Sequence, residues 1–185
     1  KKGAAGEEQI GLIDLDGLRR LFSALVEDGY RVLGPTVRDG AIVYDELASA
    51  DALPAGWTAE TERGTYRLRR RGDAARFGYT VGPQSWKRHL FPARRRLWSA
   101  EKQGNGTFAV ATEADAPQPT AFVGVRACEL AAIALQDRIF MDGPFPDPVY
   151  AARRRSTFIV AVNCTGSAAT CFCASTGTGP QVPPG

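Results

Sequence analysis

The sequence predicts an α/β (or α+β) fold: a mixed sheet with a βαβ unit and flanking helices, and a cysteine-bearing loop at the strand ends. Three stretches carry that expectation. "QPTAFVGVRACELAAIALQDRIF" starts as a short apolar run and turns helical, so a buried strand near Ala121–Val125 leads into a helix from about Cys128 to Phe140. "TFIVAVN" is a second apolar run without strict alternation, the pattern of a strand in a sheet covered on both faces. Two such strands joined through a helix make a βαβ unit with a right-handed crossover. "LDGLRRLFSALVEDGY" places Leu18, Leu21, Phe22, Leu25 and Val26 on one helical face.

In chain order, that amphipathic helix is capped by Asp14 or Asp16 and stopped by Gly29 in the left-handed region. "YRVLGPTVRDGAIVYDEL" reads as two strands about a turn at Asp39-Gly40. "ALPAGW" reads as a loop, and "GTYRLRRR" and "ARFGYTVGP" as extended segments. "PQSWKRHLFPARRRLWSAE" mixes aromatics with cations, and Pro92 interrupts or starts a helix there. The lone histidine, His89, reads as structural or solvated. "GNGT" is a turn, "DGPFPDP" a loop, and "VYAARRRS" a helical turn. The expected organisation is a flexible tail at 1–9, a single α/β domain at 10–180, and a linker at 181–185 cut before a further part.

With 185 residues and 44% apolar composition, the chain can bury the core of one ordinary domain. No apolar run approaches the length of a membrane span, and "KKGAAGEEQ" carries no apolar signal core. A cytoplasmic location is therefore expected. The net charge of +3 is modest, and all but four of the 23 basic residues are Arg. The runs at Arg69–Arg71, Arg94–Arg96 and Arg153–Arg155 lack interleaved aromatics, so they read as solvated or subunit-facing surface rather than a nucleic-acid site.

Sulfur is concentrated. Cys164, Cys171 and Cys173 sit in "NCTGSAATCFCASTGTGP", and Cys128 is the only other cysteine. Both apolar strands run into a cysteine. If the strands are parallel, their C-terminal ends share the sheet edge where open α/β sheets place ligands. The following loop then brings Cys171 and Cys173 to the same place. In a reducing compartment such a cluster points to metal or redox chemistry rather than disulfides. Four thiolates suit a [4Fe–4S] cluster or a zinc ion. The C-x6-C-x-C spacing matches neither the C-x2-C knuckles of zinc ribbons nor the ferredoxin run. Cys128 begins a helix, whose dipole favours a thiolate, and Arg126 adds a cation that favours a reduced, anionic cluster. "STGTGP" lacks the Lys of a phosphate loop.

"GVRACELAAIALQDRIF", "DPVYAARRRSTFIVAVNCTGSAATCFCASTGTGP" and "YTVGPQSWKRHLFPARRRLW" resemble the iron–sulfur β subunit of cytosolic sulfhydrogenases, the NADP-linked nickel–iron hydrogenases, and the A subunit of anaerobic sulfite reductase. The resemblance is strongest over residues 75–180. It covers only the front domain, before a ferredoxin-like part with two further clusters. It implies an electron-transfer subunit with no substrate chemistry of its own, working between a catalytic subunit and a flavin subunit that handles NAD(P)H. It places Cys128, Cys164, Cys171 and Cys173 as cluster ligands, with Arg126, Thr176, Gly177 and Thr178 shaping the pocket. Two alternatives stand beside it: a structural zinc or assembly domain of a redox complex, and a thiol enzyme or sensor using Cys171 and Cys173.

Overall fold

The structure, a computed structural model, describes residues 11–112 and 117–184; the tail expected at 1–9 lies outside the described residues. Helix α1 (Leu15–Glu27) starts where the Asp14 carboxylate accepts the Gly17 N–H at 2.7 Å, and Gly29 follows it at φ +83°. Strands β1 (Arg31–Arg38) and β2 (Ala41–Glu46) pair antiparallel across Asp39 and Gly40. Both turn residues have positive φ, as a two-residue hairpin turn with right-handed twist requires.

Two further hairpins follow. Strands β3 (Trp57–Glu62) and β4 (Thr65–Arg70) form the first, so the strand begins inside the stretch that reads as a loop. "ARFGYTVGP" forms no strand of its own: it makes one isolated bridge, Ala55 to Arg76, and packs across the sheet as a loop. Its Tyr79 is buried with Ile42 and Ala59, so its apolar pattern marks burial rather than pairing. Gly82 lies so close to the Ile42 carbonyl that an added Cβ would stand 2.1 Å from that oxygen. Helix α2 (Lys87–Leu90) is one turn long and stops before Pro92. Strands β5 (Trp98–Lys102) and β6 (Phe108–Thr112) make the last hairpin, closed by the expected Gly-rich turn. Their Trp98, Phe108 and Val110 are exposed.

The βαβ unit is present. Strand β7 (Thr120–Val125) leads to helix α3 (Ala127–Phe140), helix α4 (Pro148–Arg155) and strand β8 (Thr157–Ala161). The sheet order is β2-β1-β7-β8, with β1, β7 and β8 parallel. Every residue of β7 is buried, as expected of a covered strand. β8 departs from that expectation: it is the edge strand, and its Phe158 is 45% exposed, because only one neighbour flanks it.

The core divides between the two faces of the sheet. Phe22 and Leu25 of α1 pack with Val32, Ala121 and Val123, while Leu33, Phe122 and Val125 pack with Trp86, Leu90, Ile133 and Tyr150. Period-two alternation would put Val125 with Val123. A bulge changes the parity: Val123 faces Val160, Val125 faces Ala161, and Gly124 between them takes φ +91°. An added Cβ there would meet the Phe77 ring at 2.7 Å, so glycine is required on two counts.

A buried polar knot locks the junction of β7 and α3. Glu129 is 7% exposed; one carboxylate oxygen accepts the Arg126 backbone N–H at 2.9 Å and the other accepts the Tyr44 hydroxyl. The Tyr44 ring stacks on Trp86 at 4.0 Å, and Trp86 stacks on Phe122 at 4.7 Å. Arg126, 2% exposed, donates to the carbonyls of Phe77 and Tyr79 and lies against the Tyr79 ring. Burial pushes the Glu129 carboxyl above its usual value, against the opposing pull of Tyr44, the Arg126 amide and charge, and the Trp86 indole. The Tyr44 hydroxyl is pushed up too, by burial first and by the Glu129 charge second.

Two outcomes are expected. A group whose folded pKa is raised stabilises most below its unfolded pKa, and that contribution is lost as pH rises through the folded value. The stability of the parent chain relative to Glu129→Gln should therefore fall as pH climbs above about 4.3, the ordinary Glu value, in urea melts across pH 4 to 8; a pH-independent difference would place the carboxyl in water. Gly82→Ala should cost about 1–3 kcal/mol through overpacking against the Ile42 carbonyl, and thermal melting would show it as a lowered Tm.

Candidate functional site

The C-terminal ends of β7 and β8 lie on one edge of the sheet because the strands are parallel. Cys128 stands there as the second residue of α3, and Cys164 follows the end of β8. The chain then loops back through Cys171 to a short helix, α5 (Cys173–Thr176), closed by Gly177 at φ +64°. The two cysteine-ended strands thus share one edge of the sheet, as expected of parallel strands.

The thiols gather unevenly. Cys128, Cys171 and Cys173 line one cavity of about 300 Å³, together with Glu129, Trp86 and Phe172. Cys164 does not line it. Cys128, Cys164 and Cys173 are partly buried and Cys171 is exposed; all four are free thiols. Among the described residues no three Cys, His, Asp or Glu side chains stand together closely enough to hold a metal ion. Within the loop the Cys164 thiol donates to the Gly166 carbonyl at 3.0 Å, and the Cys171 sulfur accepts the Ala168 N–H at 3.3 Å.

Electrostatics at Cys128 differ from the helix-start expectation. Its thiol is pushed above the ordinary cysteine value, first by burial and then by the Glu129 charge, with Cys173 and Cys164 adding to both. Arg126 opposes them but ranks below Glu129 and Cys173. The carboxylate next in sequence and the loss of water thus outweigh the helix start.

Backbone and hydroxyl contacts tie the loop to the domain. The Cys164 N–H donates to the Pro180 carbonyl at 3.1 Å, and the Thr178 N–H donates to the Cys173 carbonyl at 2.9 Å. Thr170 donates to the Thr61 hydroxyl of β3 at 3.0 Å, and the Thr176 and Thr178 hydroxyls share a 2.8 Å bond. Val182, in the stretch expected to be linker, donates its N–H to Asn163 at 2.8 Å. Gly179 permits close packing, since an added Cβ would stand 3.3 Å from the Cys173 sulfur.

Arg126 sits near the sulfurs in sequence, yet its guanidinium is engaged by the carbonyls of Phe77 and Tyr79 and does not line the cavity. The residue that sequence reasoning passed over is Glu129. Its signal was available: a carboxylate three residues after the helix-capping position is half of a capping box. Trp86 and Phe172 joined the cavity through tertiary packing, for which no local pattern exists.

Comparison with known proteins follows the same lines. No family model matches the chain, and no solved structure matches it. No helix among the described residues is long and apolar enough to cross a membrane. The chain is 27% identical over 157 residues to Sulfhydrogenase 2 subunit beta of Pyrococcus furiosus, a match that takes in 85% of this chain and 38% of that protein. The resemblance read from its motifs is thereby borne out: the chain is similar to a sulfhydrogenase β subunit and spans well under half of that protein's length.

Proposed function

We propose that this chain is an electron-transfer component of a redox complex, carrying a [4Fe–4S] cluster on Cys128, Cys164, Cys171 and Cys173. It would pass electrons between a catalytic subunit, hydrogenase or sulfite reductase-like, and a flavin subunit that handles NAD(P)H. The observation that carries the reading is the placement of Cys128 and Cys164 beyond the ends of two parallel strands, with Cys128, Cys171 and Cys173 lining one cavity. Similarity to a protein named as a sulfhydrogenase subunit supports it.

The donor set fits the group by its chemistry. Thiols are the ligands such clusters take, and the one carboxylate beside them, Glu129, is already occupied by Tyr44 and the Arg126 amide. Closure of the sulfurs onto one centre is part of the proposal. When bound, the cluster supplies a one-electron redox step. The protein's own part is to hold Cys128 on a rigid helix start, to bring the loop sulfurs over it, and to wall the cavity with Trp86 and Ile133. Arg126 sets a buried positive charge close enough to act on Cys128. A zinc ion would use the same four thiols, so metal identity separates the two readings.

Protein prepared without oxygen should be brown and carry about four Fe and four sulfide per chain; a colourless chain holding one zinc would overturn the cluster in favour of the zinc reading. Cys128→Ala should cut iron content sharply and make the loop at 164–180 susceptible to protease, because metal binding at the folded site is linked to the loop's order. Helix α1 should persist in the same variant, since Phe22 and Leu25 pack away from the sulfurs. Undiminished iron in Cys128→Ala would remove this residue from the ligand set.

A further inference from the structure

At the opposite edge of the sheet lies a second cavity, of about 270 Å³, whose chemistry differs from that of the sulfur-lined one. It opens where β1, β7 and β8 begin, and is lined by Arg31, Thr120 and Thr157, the first residues of those strands. Arg88 and His89 of α2 and Arg153 of α4 close it. No carboxylate lines it among the described residues.

The donors are unevenly used. Arg31 Nε and His89 Nε2 are shut off from solvent and have no hydrogen-bond partner. Among the described residues Arg88 donates to the neutral Gln84 side chain at 2.7 Å, and its charge also bears on Asp45. The Thr120 and Thr157 hydroxyls already donate to the carbonyls of Gln118 and Arg153. What remains directed to a ligand is cationic and imidazole N–H chemistry. A buried donor without a partner is costly, and Arg31 and Arg88 place like charge beside His89. Both costs are relieved by one ligand, a multiply charged oxyanion, which guanidinium groups bind through charge-assisted hydrogen bonds.

We propose that this cavity is a binding site for a phosphate-class oxyanion, held by Arg31 and Arg88 with His89 as the third donor. Its volume suits a phosphate or diphosphate group rather than a whole cofactor. The site is independent of the sulfur-bearing edge and of any cluster there. His89 provides a built-in reporter. Burial first, then Arg88 and Arg31, lower its pKa to about 4, while a Tyr44 backbone hydrogen bond and the Asp45 charge act in the other direction. The imidazole is thus neutral near pH 7 when the cavity holds no anion. An anion beside Arg31 and Arg88 reverses that balance and favours the imidazolium, so binding is coupled to proton uptake and strengthens as pH falls.

His89 is the single histidine of the chain, so its ring signals in a proton–nitrogen NMR spectrum need no assignment. Titration with inorganic pyrophosphate should shift those signals and raise the His89 pKa. Sulfate, which does not titrate in this range, should bind more tightly at pH 5 than at pH 8. Arg31→Gln and Arg88→Gln should each weaken pyrophosphate binding about tenfold or more, one charge-assisted contact each. Arg88 is exposed, so that variant keeps the fold intact even if Arg31→Gln does not. ADP binding more tightly than pyrophosphate would identify a nucleotide as the source of the group, and equal binding would identify a free oxyanion. His89 signals unmoved by millimolar pyrophosphate, or binding that survives Arg88→Gln unchanged, would overturn the site.

Discussion

The fold turns on the buried knot at the start of α3. Arg126 and Glu129 are both nearly inaccessible, and each is hydrogen-bonded by a different part of the chain, though Arg126 Nε has no partner. Glu129 reaches the first hairpin through Tyr44, and Arg126 reaches the 71–86 loop through the carbonyls of Phe77 and Tyr79. A buried charge without its partners costs several kcal/mol, so the hairpin, the loop and the helix are constrained to meet in one arrangement. Cys128 lies between the two residues in sequence and inherits that rigidity.

The bulge at Gly124 serves the same junction. By shifting the side-chain parity of β7 it sends Val125 to the face occupied by Trp86 and Ile133. The chain then enters α3 with Arg126 turned under the 77–79 loop and Glu129 under Tyr44. Without the bulge, alternation would put Val125 on the α1 face and the knot could not close on these partners. A single glycine with positive φ therefore links sheet register to the placement of the first cysteine.

Parallel strands give the sheet two chemically distinct edges. At the ends of β7 and β8 the chain delivers sulfur, with small residues in the returning loop that let it pass close to Cys173. At the beginnings of β1, β7 and β8 it delivers guanidinium and imidazole. The runs of Arg do not act as one surface. Arg69 pairs with Glu60 and Arg71 with Asp73, while Arg154 pairs with Asp137. The exposed pairs at Arg69 and Arg71 contribute little stability. The second cavity takes two of its cations, Arg31 and Arg88, from outside the runs and one, Arg153, from within them.

The sequence by itself determined the elements with strong local signals. The Asp14 cap, the Asp39-Gly40 turn and the strand–helix–strand unit appear as read, and so does the apolar stripe of α1 except for Val26, which is exposed, because their causes lie within a few residues. It also determined which atoms the site has to work with, since cysteines placed at the ends of two parallel strands must share an edge. Only the tertiary structure decided the rest. The edge position of β8 depends on sheet order, which leaves no trace in the five residues of that strand. Hairpin β5–β6 was unread because its exposed Trp98, Phe108 and Val110 follow no burial pattern. The raised Cys128 thiol follows from desolvation and from Glu129, and desolvation exists only once Trp86, Tyr44 and the loop have closed around that corner. Short-range sterics and capping are written into neighbouring residues; the electrostatics of a site come from what the fold removes from water.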